Sequence, residues 1–259
     1  MSDTLIKDML DNAVHISNKR QYWSPKMRDY IYGVQNGIHV FDLYKTEKKL
    51  EELKETLTKL SETGKEILIV GTKLQARGLV KELAISTGHH YVNDKWVPGL
   101  LTNFSTLKKR ITTYNKLEKD LETGVLDMLS KKEKAIKIKE LEKLRKAYEG
   151  LKELRKAPDA VFVIDGHYEG LALTESAKLK IPSYALLGST GDIDSCTNFV
   201  PCNVNSIKAI KFIFDYIRPI LTRKKIAKPF EAEEGKKFTP RNPNPIKREF
   251  PRTDTPKQA

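Results

Sequence analysis

Glu66-Ile67-Leu68-Ile69-Val70 is a nearly unbroken apolar run of strand length, and it passes directly into Gly71-Thr72-Lys73. A short run of this kind, without period-two alternation, suits a strand buried on both faces, and such strands belong to parallel sheets covered by helices. The flanking residues agree. Downstream, Leu79, Val80, Leu83 and Ala84 share one face of a helix, Gly88 stops it, and His89 to Val92 resumes a strand. Upstream, Leu50, Leu53, Leu57 and Leu60 recur at helical spacing before Gly64, and His39-Val40-Phe41-Asp42-Leu43 precedes them as a short strand.

The same rhythm returns later in the chain. Ala160-Val161-Phe162-Val163-Ile164-Asp165 reads as a strand, a helical stretch runs to Leu179, and Ser183-Tyr184-Ala185-Leu186-Leu187 follows Ile181-Pro182. A last helix is expected from about Asn203, with Ile207, Ile210, Phe214, Ile217 and Leu221 on its inner face. Alternating strands and helices imply an α/β fold, a parallel sheet flanked by helices.

Between the two halves lies a different pattern. Leu107, Ile111, Tyr114, Leu117 and Leu121 step by three and four residues, as do Ile138, Leu141, Leu144, Tyr148, Leu151 and Leu154. Thr123-Gly124 separates the two series, and Ser130-Lys131-Lys132-Glu133 has the form of a capping box at the start of the second. The expected domains are therefore a sheet domain over 1–104 and 157–227, an inserted antiparallel helical hairpin over 105–156, and a tail over 228–259.

Charge follows the same divisions. The 259 residues carry a net charge of +13, which points to a polyanionic partner. The hairpin holds 16 basic against 9 acidic residues (+7), and the tail 8 against 5 (+3), whereas the sheet segments are nearly neutral. A solvated helix face and a phosphate-binding face both fit the hairpin lysines, although a purely solvating face would mix signs more evenly. The tail has six prolines and the runs Lys236-Lys237 and Lys247-Arg248, so it is expected to be disordered when free and to lie along phosphates when bound.

No apolar run approaches the ~20 residues of a membrane span, and residues 1–10 lack the order of a signal peptide, so a cytoplasmic protein is expected. Cys196 and Cys202 match no common zinc spacing and are expected to be reduced and partly buried.

A search for catalysis finds little. No G-x-G-x-x-G follows a strand, and Gly71-Thr72-Lys73 lacks the upstream glycine of a phosphate-binding loop. Asp165-Gly166-His167 ends a strand, where sheet folds place ligands, but it has neither a nucleophile nor a metal partner. A strand-ending turn explains it equally well. No catalytic residue, cofactor or metal site is expected.

Two clusters combine cations and aromatics. Lys19-Arg20-Gln21-Tyr22-Trp23-Ser24-Pro25-Lys26-Met27-Arg28 offers phosphate contacts beside stacking surfaces, and Lys95-Trp96 begins a second stretch that runs through Asn103 to Phe104, ahead of Lys108-Lys109-Arg110. The RNA-binding candidates are Lys19, Arg20, Tyr22, Trp23, Lys26, Arg28, Lys73, Lys95, Trp96, Asn103, Lys108, Lys109 and Arg110. Core aromatics with charged neighbours would give the same pattern.

Tyr22-Trp23-Ser24-Pro25-Lys26-Met27, Ile69-Val70-Gly71-Thr72-Lys73, the run from Trp96 to Asn103 ending Leu-Thr-Asn, and Pro158 to Asp165 together resemble the bacterial small-subunit ribosomal protein S2 family. The likeness runs from about Leu5 to about Thr222 and leaves the tail unmatched. It implies a Rossmann-like parallel sheet with an inserted coiled-coil hairpin, bound to small-subunit ribosomal RNA between head and body. It also implies neighbouring ribosomal proteins as partners, including the large messenger-binding one, and no catalytic role. Three departures stand out: Ile16-Ser17-Asn18 replaces the family's aromatic and Gly-His, Pro98 replaces a glycine, and Val204-Asn205 replaces adjacent aspartates. A metal site built on those carboxylates is therefore not expected. The rival classes are an α/β enzyme acting on a nucleotide or RNA, and a protein-only scaffold docking through the hairpin.

Overall fold

The computed structural model describes residues 2–222. The expected tail over 228–259 lies outside them. In chain order the elements are α1 (Ser2–Asp11), β1 (Ile16–Lys19), a 3-10 turn (Pro25–Tyr30), β2 (Ile31–Gln35), β3 (Ile38–Phe41), α2 (Leu43–Glu62), β4 (Ile67–Val70), α3 (Leu74–Thr87) and β5 (His90–Val92). Then come α4 (Phe104–Glu122), α5 (Lys131–Tyr148), β6 (Ala160–Ile164), α6 (Gly170–Lys178), β7 (Ser183–Leu187), β8 (Asn198–Pro201) and α7 (Ile207–Leu221).

The main sheet has five strands in the order β5-β4-β6-β7-β8, and every neighbouring pair is parallel. All residues of β4, β6 and β7 are buried, which is why their sequences show no polar alternation. Alternate side chains serve the two faces. Ile67, Ile69, Phe162, Ile164 and Leu186 join Leu50, Leu53, Leu57, Val80, Leu83, Ile213 and Phe214 in one core cluster. Leu68, Val70, Val161, Val163, Ala185 and Leu187 join Leu107, Ile111, Tyr114, Leu141 and Tyr148 in the other. The apolar stripes of α4 and α5, which pack on each other, therefore belong to the cluster on one face of the sheet, where α6 lies against β6 and β7, and full burial of each large apolar side chain contributes about 1.5–3 kcal/mol.

Several local outcomes differ from the sequence reading. The strand at His39 does not join the parallel sheet. It forms the centre of a separate antiparallel sheet ordered β1-β3-β2, because Asn36 and Gly37 (φ 50° and 75°) turn β2 directly back into β3. Leu43 starts α2 instead of ending that strand, since the Asp42 side chain accepts from Tyr44 N at 3.0 Å and caps the helix. α5 ends at Tyr148, short of Leu151 and Leu154, where the chain must pass Tyr91 closely. A Cβ on Gly150 would come within 2.2 Å of the Tyr91 carbonyl oxygen, so only glycine fits there. The capping box forms as expected: Ser130 Oγ accepts from Glu133 N (3.4 Å), and Glu133 Oε2 accepts from Ser130 N (3.2 Å). Short β8, unmarked by any apolar run of its own, supplies the sheet's edge and ends on Pro201, a residue that edge strands tolerate.

Candidate nucleic-acid interface

Counting only the five parallel strands, the chain lays down β4, steps outward to β5, and returns on the other side of β4 with β6. Strand order reverses between β4 and β6, and folds of this kind bind ligands just beyond such a point. The loops leaving β4, β6 and β7 there surround a crevice of about 380 Å³ lined by Asn18, Lys19, Tyr22, Lys73, Asp165, His167, Tyr168 and Thr190.

Much of the crevice wall is internally satisfied. Lys73 Nζ lies 2.8 Å from Asp165 Oδ2, with the two side chains 18% and 8% exposed. The same ammonium donates to Asn205 Oδ1, and Asn205 Nδ2 donates to Asn18 Oδ1 at 2.7 Å. Beneath them the buried Glu169 accepts from both Thr72 N and Thr72 Oγ1 at 2.6 Å. Burial raises the pKa of Glu169, the Thr72 hydrogen bonds oppose this, and nearby Asp165 adds to the rise. The β4–α3 loop, where a nucleotide enzyme would seat a phosphate, thus already holds a carboxylate of the chain itself. Asp165 adopts φ 67°, the left-handed region, at the head of its turn, while His167 is exposed.

The N-terminal aromatic cluster is tied to the same edge. Ser24 N donates to Ser189 O (2.7 Å), and Ser189 Oγ donates to Tyr22 O (3.1 Å). Tyr22 is 61% and Trp23 41% exposed, the latter with its ring 5.7 Å from that of His39. Lys19, Arg20 and Arg28 are exposed. Lys26 is already engaged: Asp192 and Asp194 lie 2.8 and 2.5 Å from its ammonium, and their hydrogen bonds raise its pKa.

The second cluster has a different character. Trp96 is 6% exposed and donates its indole N–H to Glu175 Oε1 at 3.1 Å, so its ring offers no open face for stacking. Glu175 also accepts from Gly99 N (2.8 Å), Leu101 N (3.0 Å), Thr102 N (3.2 Å) and Thr102 Oγ1 (3.3 Å). Burial pushes the Glu175 pKa up, but the donors outweigh it and the net displacement is downward. This buried carboxylate folds the Trp96–Asn103 loop at the base of α4, where Lys95 and Asn103 are exposed. On α4 itself Lys108, Lys109 and Arg110 are all exposed, while Leu107, Ile111 and Tyr114 point into the core. Farther along, Glu118 accepts from Lys152 Nζ at 2.6 Å and Tyr114 Oη at 3.0 Å, which engages one lysine of the basic segment internally.

Lys19, Tyr22 and Lys73 come together, and Lys95, Asn103, Lys108, Lys109 and Arg110 follow one another along the base and flank of α4. Glu175, Glu169 and Tyr168 escaped the sequence reading, and Asn205 entered it only as a departure from the aspartates of the family the chain resembles. A glutamate among the apolar residues of α6 was the available signal for Glu175. Cys196 and Cys202 are free thiols, and burial raises the pKa of both, that of Cys196 to about 11. Among the described residues no helix is long and apolar enough to cross a membrane.

Comparison with known proteins gives a consistent result. A family profile described as Ribosomal protein S2 matches residues 9–222. Over 218 residues the chain is 43% identical to the small ribosomal subunit protein uS2 of Fusobacterium nucleatum subsp. nucleatum, covering 84% of this chain and 88% of that protein. It is 41% identical over 211 residues to the small ribosomal subunit protein uS2 of Endomicrobium trichonymphae, covering 82% and 86%.

Proposed function

We propose a mechanism from the premise that this chain belongs to the ribosomal protein S2 family. It is a structural constituent of the small ribosomal subunit, and its place is the ribosome in the cytoplasm. Ribosomal RNA and neighbouring ribosomal proteins are its partners. The large messenger-binding protein is the specific neighbour we assign, and the seat we assign lies between head and body.

The observation that carries the mechanism is the exposure of Lys108, Lys109 and Arg110 beside a buried apolar stripe. Their charge is free to meet phosphates while the apolar stripe of the helix stays buried. In this reading the hairpin over 105–156 is an antiparallel coiled coil set into the α/β body, and the tail over 228–259 adds further phosphate contacts. Lys19, Arg20, Arg28 and Lys95 extend the cationic surface, Lys73 adds to it from within its pair with Asp165, Tyr22 and Trp23 supply stacking faces, and Asn103 adds an amide. Trp96 acts by holding the loop through Glu175, and Lys26 reaches RNA only by leaving Asp192 and Asp194. Binding releases counterions, and specificity comes from RNA shape.

The chain works without turnover. Supporting this, Glu169 fills the loop that would hold a substrate phosphate, and Asp165 is committed to Lys73. The enzyme reading would require turnover by purified protein that Asp165→Asn or His167→Ala abolishes. Incorporation of the wild type and of a charge-reversed α4 variant into small subunits tests the proposed mechanism.

A further inference from the structure

The crevice beyond β4 and β6 has features that simple phosphate contacts do not use. Its volume of about 380 Å³ lies within the roughly 300–1,000 Å³ typical of small-ligand sites. Tyr22 and Tyr168 both line it, and each is 61% exposed, leaving two phenol rings open to solvent at one site. Lys19 and Lys73 against Asp165 leave one net positive charge, the complement of a single phosphodiester. Asn18, whose Oδ1 already accepts from Asn205 Nδ2, meets Thr190 through a long 3.4 Å contact from its Nδ2, so the Asn18 NH2 and the Thr190 hydroxyl keep capacity for a base edge. A duplex keeps its bases stacked and cannot offer one to such a crevice, and an acidic peptide would use the lysines but has no flat heterocycle for the tyrosines.

We propose that this crevice captures one unpaired nucleotide of RNA, with the base on the tyrosine rings and the phosphate on Lys19 and Lys73. The inference rests on the RNA-binding reading above and names the form of RNA that reaches this part of the surface. Tyr168, which lies in neither of the aromatic and basic clusters of the sequence, becomes a specificity residue.

The test titrates the full chain with a fluorescent single-stranded ribonucleotide pentamer and with a blunt RNA duplex carrying the same number of phosphates per strand. The wild type is expected to prefer the pentamer. In Tyr168→Ala that preference falls about tenfold, the scale of one base-stacking contact, and Tyr168→Phe retains it. Lys19→Ala weakens the pentamer as well, and both changes lie on exposed side chains that the fold does not need. Displacement of the pentamer by adenosine 5′-monophosphate would show that a free nucleotide can enter. Displacement only by longer single strands would make RNA the source, and either outcome keeps the single-nucleotide site. Displacement by an acidic peptide but by no nucleotide would overturn the proposal, as would equal affinity of the wild type for pentamer and duplex. If the duplex and small subunits still bind while the preference is absent, only this inference fails. If no RNA binds in any form, the reading beneath it fails as well.

Discussion

Lys73 Nζ and Asp165 Oδ2 stand 2.8 Å apart across the point where the parallel sheet reverses its strand order. One residue follows β4 and the other follows β6, so the ion pair stitches together the two strand ends at the floor of the crevice. At a position that serves chemistry in other sheets of this kind, the two side chains here hold the strand ends together.

Removing the cation leaves a buried carboxylate without its partner. Breaking a fully buried pair costs about 3–5 kcal/mol, and partial exposure of Lys73 reduces that, so Lys73→Met is expected to lose about 2–3 kcal/mol. Asp165→Asn keeps a hydrogen-bonding group and should lose less. Urea unfolding measures both, and a Lys73→Met midpoint equal to wild type would show that the pair adds nothing.

Glu175 offers a pH-resolved test. Glu175→Gln turns an amide NH2 toward donors that expect an oxygen, and should cost about 2–4 kcal/mol at pH 7. The folded-state pKa of Glu175 is depressed below the ordinary 4.5 because the N–H and O–H donors outweigh burial. Its contribution is therefore fully present above about 4.5 and disappears as pH falls through the lower folded value. The stability gap between wild type and Glu175→Gln should narrow as pH drops below 4.5, and a gap constant down to pH 3 would contradict the assignment.

The capping box predicts a local effect. Ser130→Ala removes the acceptor for Glu133 N and should destabilise the start of α5 by about 1 kcal/mol. Amide exchange at Glu133 and Lys134 should accelerate while the amides of β4 and β6 keep their protection. Unchanged exchange at Glu133 would mean that packing alone sets this helix end.

Lys108, Lys109 and Arg110 succeed one another at about 100° on α4, and none shares the buried stripe of Leu107, Ile111 and Tyr114. Replacing all three by Glu reverses six units of charge without touching the core. Circular dichroism should match wild type, whereas incorporation into small subunits should drop at least tenfold. Assembly at the wild-type level would make these cations a solvated face only.

The parallel sheet was legible because β4, β6 and β7 are buried on both sides and so carry unbroken apolar runs. The antiparallel sheet was not, because β1 and β2 are short and partly exposed, and their pattern is weak. Its one strong signal, Asn36-Gly37, sits between strands that hydrophobicity hardly marks. The cations of α4 were readable from their offset against the apolar stripe. The role of Trp96 was not, since a tryptophan beside a lysine looks the same whether its ring is open to solvent or held by a glutamate 79 residues away. Likewise the pairing of Lys73 with Asp165 joins residues 92 apart in the chain and depends on strand order, which no local pattern encodes.

The most direct test of the central claim is sedimentation of a lysate containing the epitope-tagged full chain through sucrose gradients at increasing salt. Attachment through RNA phosphates predicts that the chain travels with small subunits at low salt. It should leave them steeply as salt rises, with a logarithmic slope of roughly 0.9 per phosphate contact by analogy with duplex DNA. A chain that stays at the top of the gradient at every salt concentration, or one whose attachment is indifferent to salt, would contradict the account.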